Sequence, residues 1–483
     1  MNILQNITPQ PLFNFFEKIT QIPRGSGEEE KISNYIVNFA KTRGLKYNQD
    51  EALNVVVFKD AAPGYENSPG IILQSHMDMV NEKDGDHIHN FAADPLKLTI
   101  DTGIDGDFIK AIGTTLGADN GYGVALMLAL LDGNHNHGPL AALFTTQEET
   151  TMKGAHEFNY DLLRGYKYFL SLDGNGEKFD IGSAACLTQY LKFPIAYTAV
   201  APSYKTYEIK VEGLKGGHSA MEINKGRANA NILLGRILYK LRTTDFYLAH
   251  LEGGTQDNAI PREALAYVML EDGEALAQDI KTMERIFYDE YYKTEANLSV
   301  KIQVVSGKNC GFSLDTTRKI IQSILLVPHG VQHMSKNFKD TVETSNNLGI
   351  IRTDKDFVSL NYLSRSSSLS LLNHLQGQTI EVSNLLQGEY SSGQYSPPWA
   401  YKPNSKLEEV AAKVYRGLWG KDPEFVMTHG ALECGIFCEN LPQVEMVAFG
   451  PVYYGAHSPQ ERLNVDSSRR VWGFVVELLE RLQ

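Results

Sequence analysis

Apolar positions in the first third of the chain switch repeatedly between two spacings. In PLFNFFEKITQI and EEEKISNYIVNFAKTRG they recur every three or four residues, as on one face of a helix. In NVVVFKD and GIILQSH they crowd into short β-branched runs bounded by Gly, Pro or polar residues, which predicts strands. NGYGVALMLALLDG reads as an apolar helix closed by Gly133, and LAALFTTQEE and YKYFLSLD as two more strands. Strands alternating with helices predict an α/β domain with a layered sheet.

Near residue 190 the pattern changes. YEIKVEGLKGGHSAM and LSVKIQVVSG alternate as half-exposed strands and flank ANANILLGRILYKL, an amphipathic helix; NYLSRSSSLSLLNHL follows a similar segment. These features predict a separate α+β unit, with no internal repeat clear enough to assert. GEYSSGQYSPPW, rich in Gly, Ser and Pro, reads as a return linker. Beyond it KLEEVAAKVYRGLWG, QVEMVAFG and SSRRVWGFVVELLERL resume the α/β pattern. The expected organisation is one α/β domain, residues 1–190 and 396–483, interrupted by an inserted domain over 191–395.

Composition narrows the function classes. The 483 residues are 42% hydrophobic and 21% charged, as in an ordinary globular protein of more than one domain. A net charge of −13 argues against a duplex nucleic-acid partner, which calls for a basic face. Cys186, Cys310, Cys434 and Cys438 form no CxxC pair and no disulfide framework. No signal peptide and no membrane span is read, so the expected location is the cytoplasm.

Candidate chemistry gathers where the predicted strands end. His76 follows IILQS, Glu148 and Glu149 follow LAALFTTQ, Asp173 follows FLSL, and His457 comes shortly after VEMVAFGPVYYGA. Asp119, in LGADNGYG, opens the apolar helix. Taken singly, Asp119 is an N-cap, Asp173 a turn residue, and the others solvated loop positions. Taken together they converge on the strand carboxyl ends, where open α/β sheets bind ligands. Imidazoles and carboxylates without thiolates suit zinc, with cobalt or manganese as substitutes. Two His and three carboxylates are too many for one open tetrahedral zinc and enough for two ions bridged by one carboxylate, which clamp a hydroxide between them. Asp78 shares a strand face with His76 and can hold its far ring nitrogen. In the Glu148–Glu149 doublet, one residue can ligate while the other moves protons.

HMDMV, GADNGYGVA, QEET, SLDGNGE and AHSPQERL resemble the five metal-site motifs of the two-zinc aminoacylase, carboxypeptidase and dipeptidase family. GLKGGHSAMEINKGRANAN and HGALECGIF resemble its aminoacyl-histidine (Xaa-His, carnosinase-like) dipeptidases, and the likeness runs from QIPRGSGEEE to the C-terminus. The resemblance implies a zinc-peptidase-like catalytic domain, with a mixed central sheet and helices on both faces, interrupted by an inserted α+β lid domain. It implies that His76 and Asp173 hold one zinc, that Glu149 and His457 hold the other, and that Asp119 bridges them. Glu148 would be the general base and Asp78 would orient His76. From the lid, His218 would reach the developing oxyanion, while Asn258 and Arg365 would bind substrate, Arg365 at the C-terminal carboxylate. Glu433 would contact the substrate amino end. The resemblance leaves open whether His218 serves its own chain or a partner in a homodimer. It implies a small peptide substrate, with no nucleic acid and no membrane as partner.

The sequence departs from the dipeptidase pattern away from the ligands. HGALECG stands where HAGLECG is usual, IGSAAC where a glycine pair is usual, and Tyr453 and Tyr454 make the tract before His457 bulky. These positions bear on the side-chain pocket. The other readings are an aminoacylase or tripeptidase on the same scaffold, or a non-catalytic binding homologue. No P-loop and no GxSxG elbow is present.

Overall fold

The computed structural model describes residues 3–104, 106–243, 245–307 and 309–483. They form two compact units: Met1–Gly182 with Tyr401–Met427 and Leu432–Gln483, and Ser183–Ala400 with Thr428–Ala431.

The first unit is built on an eight-stranded sheet. Its order is Lys46–Gln49, Val55–Lys59, Leu140–Thr145, Gly70–His76, Tyr166–Ser171, Glu445–Phe449, Phe179–Ser183 and Phe425–Thr428. Leu140–Thr145, Gly70–His76, Tyr166–Ser171 and Glu445–Phe449 run parallel. Leu140–Thr145 is buried at every position and Gly70–His76 at all but the first. Strands covered on both faces need continuous apolar runs, which is why these segments do not alternate. The Gln10–Ile19 helix buries Leu12, Phe13, Phe15, Phe16 and Ile19 on one stripe, whereas Ala118–Asp132 is buried almost all round. Lys406–Trp419 starts on Ser405, whose hydroxyl accepts the Glu408 N–H, and stops at Gly420 in the left-handed region. A small sheet pairs Gly106–Ala111 with Arg462–Asn464, and Arg462–Asn464 with Tyr453–Tyr454, fixing both ends of the loop that carries His457.

The second unit holds a repeat that the sequence conceals. One βαββαβ half comprises Lys205–Glu212, Ala230–Lys240, Tyr247–Gly253, Ala264–Leu270, Gly273–Tyr291 and Ser299–Val305. The other comprises Ala185–Pro194, Leu314–Leu326, Val342–Thr353, Phe357–Ser366, Leu369–Leu385 and Glu389–Ser396. Within each half the strands stand in the order fourth, first, third, second, all antiparallel. The two second strands pair at Gly253 and Ile351 to make one continuous sheet. The first half lies in sequence between the first strand and first helix of the other, so no tandem repeat is visible.

The stretch expected as a return linker is a strand. Glu389–Ser396 pairs with Ala185–Pro194 at the sheet edge and exposes most of its side chains. An edge strand hydrogen-bonds on one side and is kept polar, so Ser, Gly and Gln suit it and disguise it.

Candidate metal centre

The parallel strands of the first unit end almost level. His76 pairs with Thr145, Gln74 with Ser171, and Ser171 with Ala448. The residues just past those ends are therefore neighbours. His76 ends its strand, Glu148 and Glu149 follow Thr145, Asp173 follows Ser171, and His457 lies beyond Phe449. Two loops are locked by close backbone packing. Gly174 lies so near Phe449 and Gly450 that a Cβ there would sit 2.8 Å from three backbone atoms. Asn175 exchanges hydrogen bonds with the Tyr453 main chain, at 3.1 and 3.2 Å.

Three groups of donor atoms converge, each within 4.8 Å: His76, Asp119 and Asp173; Asp119, Glu149 and His457; and His76, Glu148 and Glu149. Asp119 belongs to the first two. Its Oδ1 lies 3.1 Å from His76 Nε2 and its Oδ2 lies 3.6 Å from His457 Nε2. Asp173 Oδ1 is 3.7 Å from His76 Nε2, and Glu149 Oε1 is 2.9 Å from His457 Nε2. His457 is half-exposed and takes a left-handed backbone, at φ 60°. The Tyr453 hydroxyl donates to Asp119 Oδ2 at 3.3 Å, a contact that sequence reasoning missed.

Asp78 does more than face His76 Nδ1 at 3.4 Å. Its carboxylate accepts the Glu148 and Glu149 N–H groups at 3.1 and 3.2 Å and the Ser26 hydroxyl at 2.8 Å. One buried acid thus fixes the first imidazole and the following loop together.

The electrostatics are those of a site short of positive charge. Burial would lift Asp119, but hydrogen bonds and charge from His457 and His76 outweigh it and hold the group well below the usual carboxylate range. Burial, with Asp119 adding to it, pushes Asp173 up to about 6. Burial also drives Glu148 well above its ordinary value, opposed by His76 and reinforced by Asp173, Glu433 and Glu149. Hydrogen bonds to Asp119 and Glu149 raise His457 to about 10. Burial disfavours the His76 imidazolium, yet Asp119, Asp173 and Asp78 raise it well above its ordinary value. Among the described residues, Asp119, Glu149 and Asp173 form ion pairs only with these imidazoles. Such a field holds protons on nitrogens that would otherwise take a cation, and the mixed nitrogen and oxygen donors fit divalent ions of the zinc class.

Asp119 is not the helix cap that it resembles in isolation. The N–H groups of Leu116 and Gly117 bond to Glu461 Oε2 at 2.8 and 2.7 Å, and those of Ala118 and Asp119 to its Oε1 at 2.8 and 3.2 Å. With the cap supplied by Glu461, the Asp119 carboxylate is free to face the imidazoles. Glu461 and Arg24 lie inside AHSPQERL and QIPRGSGEEE, but nothing in their spacing singles them out.

Glu433 opens the Glu433–Asn440 helix and is buried. Its Oε2 accepts from Gln74 Nε2 and Thr145 Oγ1, both at 2.8 Å, while its Oε1 has no hydrogen-bond partner. His218, Asn258 and Arg365 belong to the second unit. His218 pairs with Ala259 in a two-residue ladder, and the Asn258 carbonyl accepts the Ser219 N–H. The His218 Nδ1 accepts the Ala220 N–H at 3.2 Å, which leaves the proton on Nε2. Partial desolvation, helped by Arg365, lowers its pKa. Arg365 donates to Cys186 Sγ at 2.8 Å and to the His429 carbonyl at 3.5 Å, and has no acidic partner among the described residues.

Residues 72–481 match peptidase family M20/M25/M40. The chain belongs to that family. It is 34% identical to the cytosol non-specific dipeptidase of Escherichia coli (strain K12), across 100% of this chain and 99% of that protein. A crystal structure of aminoacylhistidine dipeptidase from Vibrio alginolyticus superposes with a TM-score of 0.92 at 35% identity, over 99% of this chain and 97% of that one. A tripeptidase from Staphylococcus aureus shares the fold, with a TM-score of 0.58 at 18% identity over 99% of both chains. The expected α/β architecture and peptidase class are those of the M20 family. No helix among the described residues is long and apolar enough to cross a membrane.

Proposed function

We propose that this chain is a two-metal dipeptidase of the cytosol that hydrolyses free dipeptides, Xaa-His among them. The observation that carries the reading is the pair of three-donor clusters sharing Asp119, with Glu148 beside them. His76 and Asp173 would hold one divalent ion, preferably zinc, Glu149 and His457 the other, and Asp119 would span both. Bound there, the ions would acidify a water and polarise the scissile carbonyl.

The remaining work falls to the chain. Glu148 takes the proton from the attacking water and returns it to the leaving amine. Asp78 holds His76 and the Glu148–Glu149 backbone in one register, so base and ligand move as a unit. His218 offers its Nε2–H to the developing oxyanion, a role that suits a neutral ring whose Nδ1 is occupied. Arg365, lacking an acidic partner, binds the substrate C-terminal carboxylate in a fork, with Asn258 as a second polar contact. The Glu433 Oε1 receives the substrate ammonium, which would relieve a buried and unpaired oxygen.

Recognition of both termini limits the substrate to two residues. The names of the E. coli and V. alginolyticus proteins, one non-specific and one directed at Xaa-His, support a dipeptide pocket tolerant at its first position. The test is hydrolysis by the metal-loaded protein of Ala-His, β-alanyl-histidine, Ala-Ala, a tripeptide and N-acetyl-histidine. Cleavage of the dipeptides alone, abolished by chelation, is expected. Cleavage of N-acetyl-histidine with the free dipeptides left intact would overturn the reading in favour of an aminoacylase.

A further inference from the structure

Two buried residues of opposite charge, Arg24 and Glu461, spend their hydrogen bonds on the backbone of loops that carry site residues. Arg24 Nη1 donates to the carbonyls of Met77 and Asp78 at 3.1 and 3.0 Å, and Nη2 donates to the carbonyl of Gly117. The Arg24 carbonyl accepts the Met79 N–H at 3.0 Å. Glu461 grips the same Asp119 loop from its amide side through four N–H groups. It stands four residues beyond His457, and its own N–H bonds to the Ser458 carbonyl at 3.0 Å. The fit is tight, since a Cβ at Gly117, where φ is +65°, would lie 2.7 Å from Met79 Sδ and collide with the Arg24 guanidinium.

We propose that Arg24 and Glu461 are positioning residues that set the spacing of the two metal ions, Arg24 by tying the Asp119 loop to the His76 loop and Glu461 by tying it to the His457 loop. The proposal rests on the two-metal reading of the site. It follows from a correspondence of geometry. Asp119 turns one oxygen to His76 and the other to His457, and its loop is fastened to those same two loops by one side chain each. No ion pair within 4 Å joins Arg24 to Glu461 among the described residues, and Glu461 supports the Arg24 charge only from a greater distance. Both terminal nitrogens of Arg24 and both carboxylate oxygens of Glu461 are taken up by ligand-loop backbone, an arrangement that fixes loop separation directly. Groups that orient metal ligands in this indirect way typically govern affinity by about 10–100-fold.

The test uses the full chain loaded with Mn2+. Calorimetry gives the number and affinity of bound ions, and electron paramagnetic resonance gives the exchange coupling between them, which reports the bridge and the spacing. In Glu461→Gln the amide nitrogen cannot accept, so up to half of the grip is lost. We expect a folded protein whose second ion binds about 10–100-fold more weakly, with reduced coupling and a lower kcat at nearly unchanged KM. If that variant does not fold, Arg24→Lys, which keeps the charge and loses the fork, is read in the same way. Val471→Ala, in the buried core of the Val465–Arg481 helix, should lower the melting temperature and leave the coupling intact. Variants of Glu461 and Arg24 that melt early yet bind two ions with wild-type affinity and coupling would overturn the proposal. A wild-type protein that binds fewer than two ions would overturn the two-metal reading itself, and the proposal with it.

Discussion

Gly174→Ala probes how far the centre depends on backbone packing away from the ligands. Gly174 follows Asp173, and a Cβ there would lie 2.8 Å from Gly450 N, Phe449 C and Phe449 Cα. All three are main-chain atoms, so no rotamer change relieves the clash. Ordinary contact begins near 3.4 Å, so the Asp173 loop and the end of the Glu445–Phe449 strand must part by about 0.6 Å or more. Overpacking of this kind costs about 1–3 kcal/mol. The same displacement moves the Asp173 carboxylate, and a shift approaching 1 Å at a reacting centre costs up to about 100-fold in rate. The expected result is a kcat/KM for Ala-His about 10–100-fold below wild type, with a lower melting temperature and weaker binding of one ion. Gly417→Ala is the control. It lies on the exposed side of the Lys406–Trp419 helix with nothing within 4 Å of the added Cβ, so it should leave activity unchanged and stabilise by about 1 kcal/mol. Wild-type activity and metal content in Gly174→Ala would refute the argument that this contact holds Asp173 in place.

The other predictions are more direct. Glu148→Gln should lower kcat by about 10²–10⁴-fold with both ions still bound, checked by steady-state kinetics and elemental analysis; full activity would rule Glu148 out as the base. Arg365→Lys should raise KM about 10–100-fold for a free dipeptide, because a single ammonium replaces the fork, and should matter little for a C-terminally amidated one. An equal effect on both substrates would remove Arg365 from the carboxylate. His429 is buried, with its Nε2 on the Ser345 hydroxyl, and burial, helped by Arg365, pushes its pKa down to about 3. A depressed imidazole favours the fold above the unfolded value near 6.5, and that contribution is lost as pH falls from there toward 3. The loss down to pH 4 amounts to about 3 kcal/mol, so in urea unfolding between pH 7 and 4 His429→Asn should show a flatter acid dependence than wild type. Parallel slopes would show that His429 does not titrate on unfolding.

The sequence by itself determined the α/β frame and which imidazoles and carboxylates stand at the ends of its strands. Parallel strands buried on both faces must be continuous apolar runs, so their ends are visible as the points where IILQS, LAALFTTQ and FLSL give way to His76, Glu148–Glu149 and Asp173. A candidate ligand set placed on strand ends is legible for that reason. Tertiary structure decided the rest, because the rest depends on pairings between distant segments. Asp119 carries the local signature of an N-cap and is released from that role by Glu461, 342 residues further along the chain. Arg24 could be read only as one basic residue among many until its fork was seen to join two loop backbones. The repeat in the second unit is one of strand order and not of residues, and its polar edge strand Glu389–Ser396 satisfies its backbone without a sequence pattern that distinguishes it from a linker. Local sequence fixes what a residue can do. Which of those capacities is left free depends on what the folded chain brings against it.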